Sequence, residues 1–157
     1  MMGGMDEGKR SDSSTWSIAS FRVISATLST ADITEALGLP PSGAWERGSP
    51  LSRRNPDGPR RDESVWTLES GVADSEPLDT HIMRLIEIIE NNLEALKTLQ
   101  PHCEFDIHCA FASENGQGGF TLESGTLLRL TLMPISLIVS LYPPAQRDAA
   151  ECDSLVS

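Results

Sequence analysis

The clearest periodicity in the chain lies between Pro77 and Pro101, where Ile82, Leu85, Ile86, Ile89, Leu93 and Leu96 recur at steps of three and four residues. That spacing places them on one side of a single amphipathic helix of about six turns. The other side carries Glu87, Glu90 and Glu94, an acidic stripe with Arg84 and Lys97 at its ends, which reads as a solvated face. From His102 to Ala112 the period changes to two. Cys103, Phe105, Ile107, Cys109 and Phe111 fall on one face and His102, Glu104, Asp106 and His108 on the other, which predicts a half-buried strand. Trp16 to Leu28 is also strand-like, but its apolar residues occupy both faces, Ile18, Ile24 and Leu28 against Phe21 and Val23, so this strand should be well covered.

Shorter signals fill the gaps. Ser29-Thr30-Ala31-Asp32 offers a hydroxyl cap and an acid in the first turn of a short helix carrying Ile33 and Leu37, with Gly38 to stop it before Pro40-Pro41. Residues 40–63 are rich in proline, glycine and arginine and read as a long irregular loop, after which Val65–Ser70 returns to strand. Asn115-Gly116-Gln117-Gly118-Gly119 predicts a turn into a short strand, Phe120–Glu123, closing a hairpin. Ser124 can cap a third helix with Leu127, Leu128, Leu130 and Leu132, and Ile135–Tyr142 is a last strand ended by Pro143-Pro144. The expected fold is α+β: one domain over residues 16–144, with a mixed, mostly antiparallel sheet of about five strands and one long and two short helices packed on one face. Residues 1–15 read as a disordered N-terminal tail and 145–157 as a polar C-terminal tail.

Composition agrees with a folded centre, since Val, Ile, Leu and Phe make up roughly 24% of the 157 residues. The net charge of -11 argues against nucleic acid as a partner, because phosphate would be repelled over most of the surface. No apolar run approaches the ~20 residues of a membrane span, and the polar start lacks a signal-peptide core. A cytoplasmic protein with reduced thiols is expected. Cys103 and Cys109 are too far apart along one strand to bridge, and Cys152 lies in the tail.

Several segments, taken in order, resemble one family. They are Phe21-Arg22-Val23, Ile33 to Leu37 with Leu37-Gly38-Leu39-Pro40, Arg47-Gly48, Val65-Trp66-Thr67-Leu68-Glu69-Ser70, Pro77-Leu78-Asp79-Thr80-His81, Gln117-Gly118-Gly119-Phe120 and the closing strand. Their order and spacing resemble the mainly bacterial domain-of-unknown-function family 4279. The resemblance implies one domain over residues 21–142 and brings no activity or catalytic residue with it.

Candidate chemistry is sparse. His102, Glu104, Asp106 and His108 are possible metal ligands, but the two histidines stand roughly 20 Å apart on an extended strand and cannot share an ion. No metal site is expected. There is no glycine-rich phosphate loop, Gly-x-Ser-x-Gly elbow or kinase-like set, so neither a cofactor nor a catalytic residue is assigned. Gln117-Gly118-Gly119 is like a phosphate cradle only in composition. His81, opening the long helix, suits a neutral ring bonded to nearby backbone.

The strongest feature is charge segregation. Arg47, Arg53, Arg54, Arg60 and Arg61 share residues 47–61 with one acid, Asp57, giving that segment +4 and the remainder -15. It can recognise phosphate or an acidic protein surface, or fold back on the acidic stripe, or stay a solvated mobile loop. The expected function is a small soluble non-catalytic interaction module with a protein partner, inhibitor-like or immunity-like. The alternative is a small enzyme or ligand-binding domain with a pocket near Arg47, Trp66 and His81.

Overall fold

The computed structural model describes residues 15–143, so the expectations for residues 1–14 and 144–157, Cys152 included, lie outside the described residues. The elements run β1 (Thr15–Ser25), α1 (Thr30–Leu37), β2 (Gly43–Trp45), β3 (Pro50–Ser52), β4 (Asn55–Arg60), β5 (Ser64–Glu69), α2 (Leu78–Glu90), α3 (Leu93–Leu99), β6 (Glu104–Ser113), α4 (Ser124–Leu130) and β7 (Ser136–Tyr142). Five strands form one sheet in the order β2-β5-β1-β6-β7. Every pairing in it is antiparallel except β6 with β7, which is parallel. The α+β single-domain architecture expected from the pattern is therefore the one observed. No helix among the described residues is long and apolar enough to cross a membrane.

One face of the sheet meets the helices. Phe21, Val23, Trp66, Phe105, Ile107 and Cys109 project there and pack against Ile33, Leu37, Ile82, Leu85, Ile86 and Ile89, all buried. Phe21 stacks on Phe105 at 6.3 Å between ring centroids and meets Trp66 edge-on at 6.1 Å, an arrangement favoured by the ring quadrupoles. The start of α1 is fixed by a reciprocal cap in which Asp32 N donates to Ser29 Oγ and Ser29 N to the Asp32 carboxylate. Gly38, at φ 67°, supplies its left-handed stop.

The long helix is two helices. Asn91 and Asn92 separate α2 from α3, and the Asn92 side chain donates to the Ile88 carbonyl at 2.8 Å, offering the backbone an alternative to the regular ladder. The break turns Leu93 out to solvent while Leu96 and Leu99 still reach the core.

Two further expectations are corrected. Residues 114–123 form no strand, so β6 has no hairpin partner there; the chain crosses over through α4 and returns as β7, parallel to β6. Phe120 instead packs from the loop against Phe111, with centroids 5.4 Å apart. The segment 40–63, read as irregular, contains β2 on the sheet edge and a separate β3–β4 hairpin.

Candidate functional site

The hairpin presents the arginines, and it does so unevenly. Arg53 and Arg54 are its two-residue turn, both exposed and in no ion pair among the described residues. Neither has positive φ, so the turn lacks the twist that suits a tight hairpin, and the strand pairing shifts register between Pro50 and Ser52. The other three arginines are anchored at the hairpin base. Arg47 donates through Nη1 to the Ala26 carbonyl, Arg60 Nη1 to the Gly48 carbonyl at 2.8 Å, and the Arg61 guanidinium lies over the Trp45 ring at 5.7 Å. Two backbone bonds, Gly48 N to Arg61 O and Arg61 N to Ser49 O, both 2.8 Å, close that base. The acidic stripe is engaged elsewhere: Glu87 with Arg84, Glu94 with Lys97, and Glu90 with Arg129 of α4, whose hydrogen bond holds the Glu90 carboxyl below its usual range.

Arg47, Trp66 and His81 are not brought together. Trp66 is wholly buried, its Nε1 donating to Thr34 Oγ1 at 3.0 Å, and so ties β5 to α1. Arg47 N bonds Ser64 Oγ at the start of β5, whereas His81 meets Ser70 just past its end, which separates the two by roughly 20 Å of extended chain. His81 is wholly buried and shares a 2.7 Å hydrogen bond between Nδ1 and the Ser70 hydroxyl. Burial lowers its pKa, outweighing the opposing carbonyls of Ala73 and Glu76 and the charges of Glu76 and Asp74. A neutral structural ring is the result, as the position at the helix start suggests.

A family model described as "Domain of unknown function (DUF4279)" matches residues 14–144. The chain belongs to that family. No curated protein and no solved structure matches it. Membership in the DUF4279 family assigns no chemistry, so any function must be argued from the side chains.

The row His102, Glu104, Asp106 and His108 differs from expectation in a way that the alternation could not reveal. His102 and Glu104 are exposed, but Asp106 and His108 are only 6% and 9% accessible. The β1–β6 register sets Arg22 directly opposite Asp106, and its guanidinium grips both carboxylate oxygens at 2.8 and 2.9 Å. His108 Nε2 shares a 3.3 Å contact with Ser140 Oγ of β7. Among the described residues no three His, Cys, Asp or Glu side chains converge as metal ligands would. Cys109 is buried with its thiol pushed up to about 12, and burial raises Cys103 despite a hydrogen bond from Ser25, so neither offers a ready thiolate.

A cleft of about 940 Å3 opens beside the start of α2, lined among others by Asp79, Gln117, Gly119, Phe120 and Glu123. Its charged groups are acids, and Asp79 already accepts from Glu123 N at 3.0 Å. Gln117-Gly118-Gly119 thus faces carboxylates, a poor setting for phosphate, and His81 is not among the lining residues.

Proposed function

We propose that the chain is a small soluble non-catalytic protein-interaction module, inhibitor-like or immunity-like and working in the cytoplasm, whose recognition element is the β3–β4 hairpin. Its partner offers carboxylates to Arg53 and Arg54. The supporting observation is that these two side chains stand exposed at the turn while the acidic stripe is occupied by Arg84, Lys97 and Arg129. Two adjacent guanidinium groups on an otherwise acidic molecule favour local, salt-sensitive binding. The enzyme or ligand-binder alternative loses support because Arg47 meets the start of β5, Trp66 is buried within it and His81, on α2, lies beyond its end.

The test is capture from the native cell with the parent and with R53A/R54A side by side, followed by mass spectrometry and a salt wash. A protein held by the parent, released by salt and weakened several-fold or more in the variant is expected, with the two baits melting within about 0.5 kcal/mol of each other because the changes are at an exposed turn. A co-purified metabolite with no protein partner would overturn the reading.

A further inference from the structure

The sheet has two edges, and they are treated differently. At one, β2 is three residues long and leads into the basic hairpin. At the other, β7 pairs with β6 over seven residues in unbroken register and has no strand beyond it among the described residues. Proteins commonly guard such an edge with charge, proline, a bulge or a covering element, because its outward N–H and C=O groups invite another strand. Ser136-Leu137-Ile138-Val139-Ser140-Leu141-Tyr142 contains neither charge nor proline.

The flank of this edge is apolar as well. Leu137, Val139 and Leu141 alternate onto the helix side of β7; the first two pack on the core, whereas Leu141 is 70% exposed. The helix α4 packs against α2 and leads straight into β7, and there Leu128 and Leu132 are 66% and 78% exposed. Between Ser124 and Pro143 one side chain is charged, Arg129, and it is bound to Glu90. On a chain of net charge -11 this is a long stretch without a single acid.

We propose that this rim is the docking site for a second copy of the same chain, the two β7 strands pairing antiparallel about a two-fold axis normal to the sheet. That operation joins the two five-stranded sheets into one of ten strands and leaves both helix layers on the same side, where the exposed leucines of the copies meet. Three observations favour a second copy over an unrelated partner. An antiparallel strand edge is complementary to itself under this symmetry. Two acidic molecules repel over most of their surfaces, and the rim, with one cation and no acid between Ser124 and Pro143, adds nothing to that repulsion. Finally, β7 runs for seven residues and Leu128, Leu132 and Leu141 are 66%, 78% and 70% exposed, apolar surface that a second copy would cover in the same step.

In such a dimer the basic hairpins sit near the two outer ends of the joined sheet. Nine strand spacings, roughly 43 Å, separate the outermost strands, so the two hairpins would be presented at a distance.

Sedimentation velocity of the full chain from about 1 to about 200 µM tests this directly. The expected result is a concentration-dependent shift from the mass of one chain to the mass of two. L132E/L141E should raise the dissociation constant about tenfold or more. Both positions are exposed, so at the lowest concentration the variant should melt with the parent; should it not, Leu128→Lys carries the same test. R53A/R54A should leave the mass distribution unchanged, which separates failure here from failure of the hairpin reading. A chain that stays single throughout, one that assembles past the dimer, or a dimer undiminished by the rim substitutions would each overturn the proposal.

Discussion

Where the sheet meets the helices, its strands present Phe21, Val23, Trp66, Phe105, Ile107 and Cys109; on the opposite face the same strands present Ser20, Arg22, Thr67, Asp106 and His108. The second set is far more polar, yet Ser20, Thr67, Asp106 and His108 are buried, and the Arg22 side chain is only 12% exposed. Burial goes with shape-matched apolar packing on one side, and on the other with a strand register that sets a guanidinium opposite a carboxylate. The difference teaches that alternation identifies two faces without saying that the polar one is wet. It also implies different responses to damage. An apolar face loses area and gains a cavity, whereas a paired charge that loses its partner leaves an ion where water is scarce.

Asp106→Ala is therefore the change expected to hurt most, at about 3–5 kcal/mol, because it removes the carboxylate that both Arg22 donors grip. Replacing both residues with apolar ones, as in R22M/D106L, should cost much less than the single change, since no ion is then buried at this place. Denaturant unfolding of the two variants checks the contrast, and a double variant as damaged as the single one would break it.

On the helix side the corresponding change is Ile89→Ala, which removes a side chain at 1% exposure from the middle of the packed face of α2. Lost transfer energy plus the residual cavity should cost about 2–5 kcal/mol. A variant that melts like the parent would mean that α2 does not lie on the sheet as described.

The contrast also explains what could be read from the chain. The strands β1, β5 and β7, the capped α1 and the apolar stripe of α2 carry short-range signals, namely alternation, a Ser-x-x-Asp cap and three- and four-residue recurrence. The α2–α3 break was hidden by apolar spacing that continues through Asn91-Asn92, even though paired asparagines are poor helix formers. The false hairpin at 115–123 came from a glycine-rich turn signal that says nothing about where the next segment goes; parallel pairing of β7 with β6 is decided by long-range contacts. Charge segregation singles out the five arginines as a group. It could not distinguish Arg53 and Arg54 from the anchored three, because the groups that hold Arg47 and Arg60 are backbone carbonyls, which have no sequence signature. The open edge of β7 was equally invisible, since the edge position follows from strand order.

The smallest effect comes from a polar pair placed on the helix side of the molecule. Ser70 and His81 are both buried, and their hydrogen bond is between neutral groups, unlike the ionised pair across the sheet. Since loss of water lowers the His81 pKa in the fold from an ordinary 6.5, the unfolded chain takes up a proton before the native one does as pH falls. The stabilising contribution of the neutral ring is complete above about pH 6.5 and is lost progressively below it. At 1.36 kcal/mol per pH unit, the loss can reach at most about 2 kcal/mol by pH 5, above the range in which most carboxylates titrate. Unfolding free energies measured from pH 7.5 to 5 for the parent and for His81→Gln isolate this residue. The parent should lose stability faster than the variant across that window. Parallel slopes would mean that His81 takes up its proton as readily in the fold as in the unfolded chain, and below pH 6.5 the helix side would then hold a buried ion much as the opposite face does.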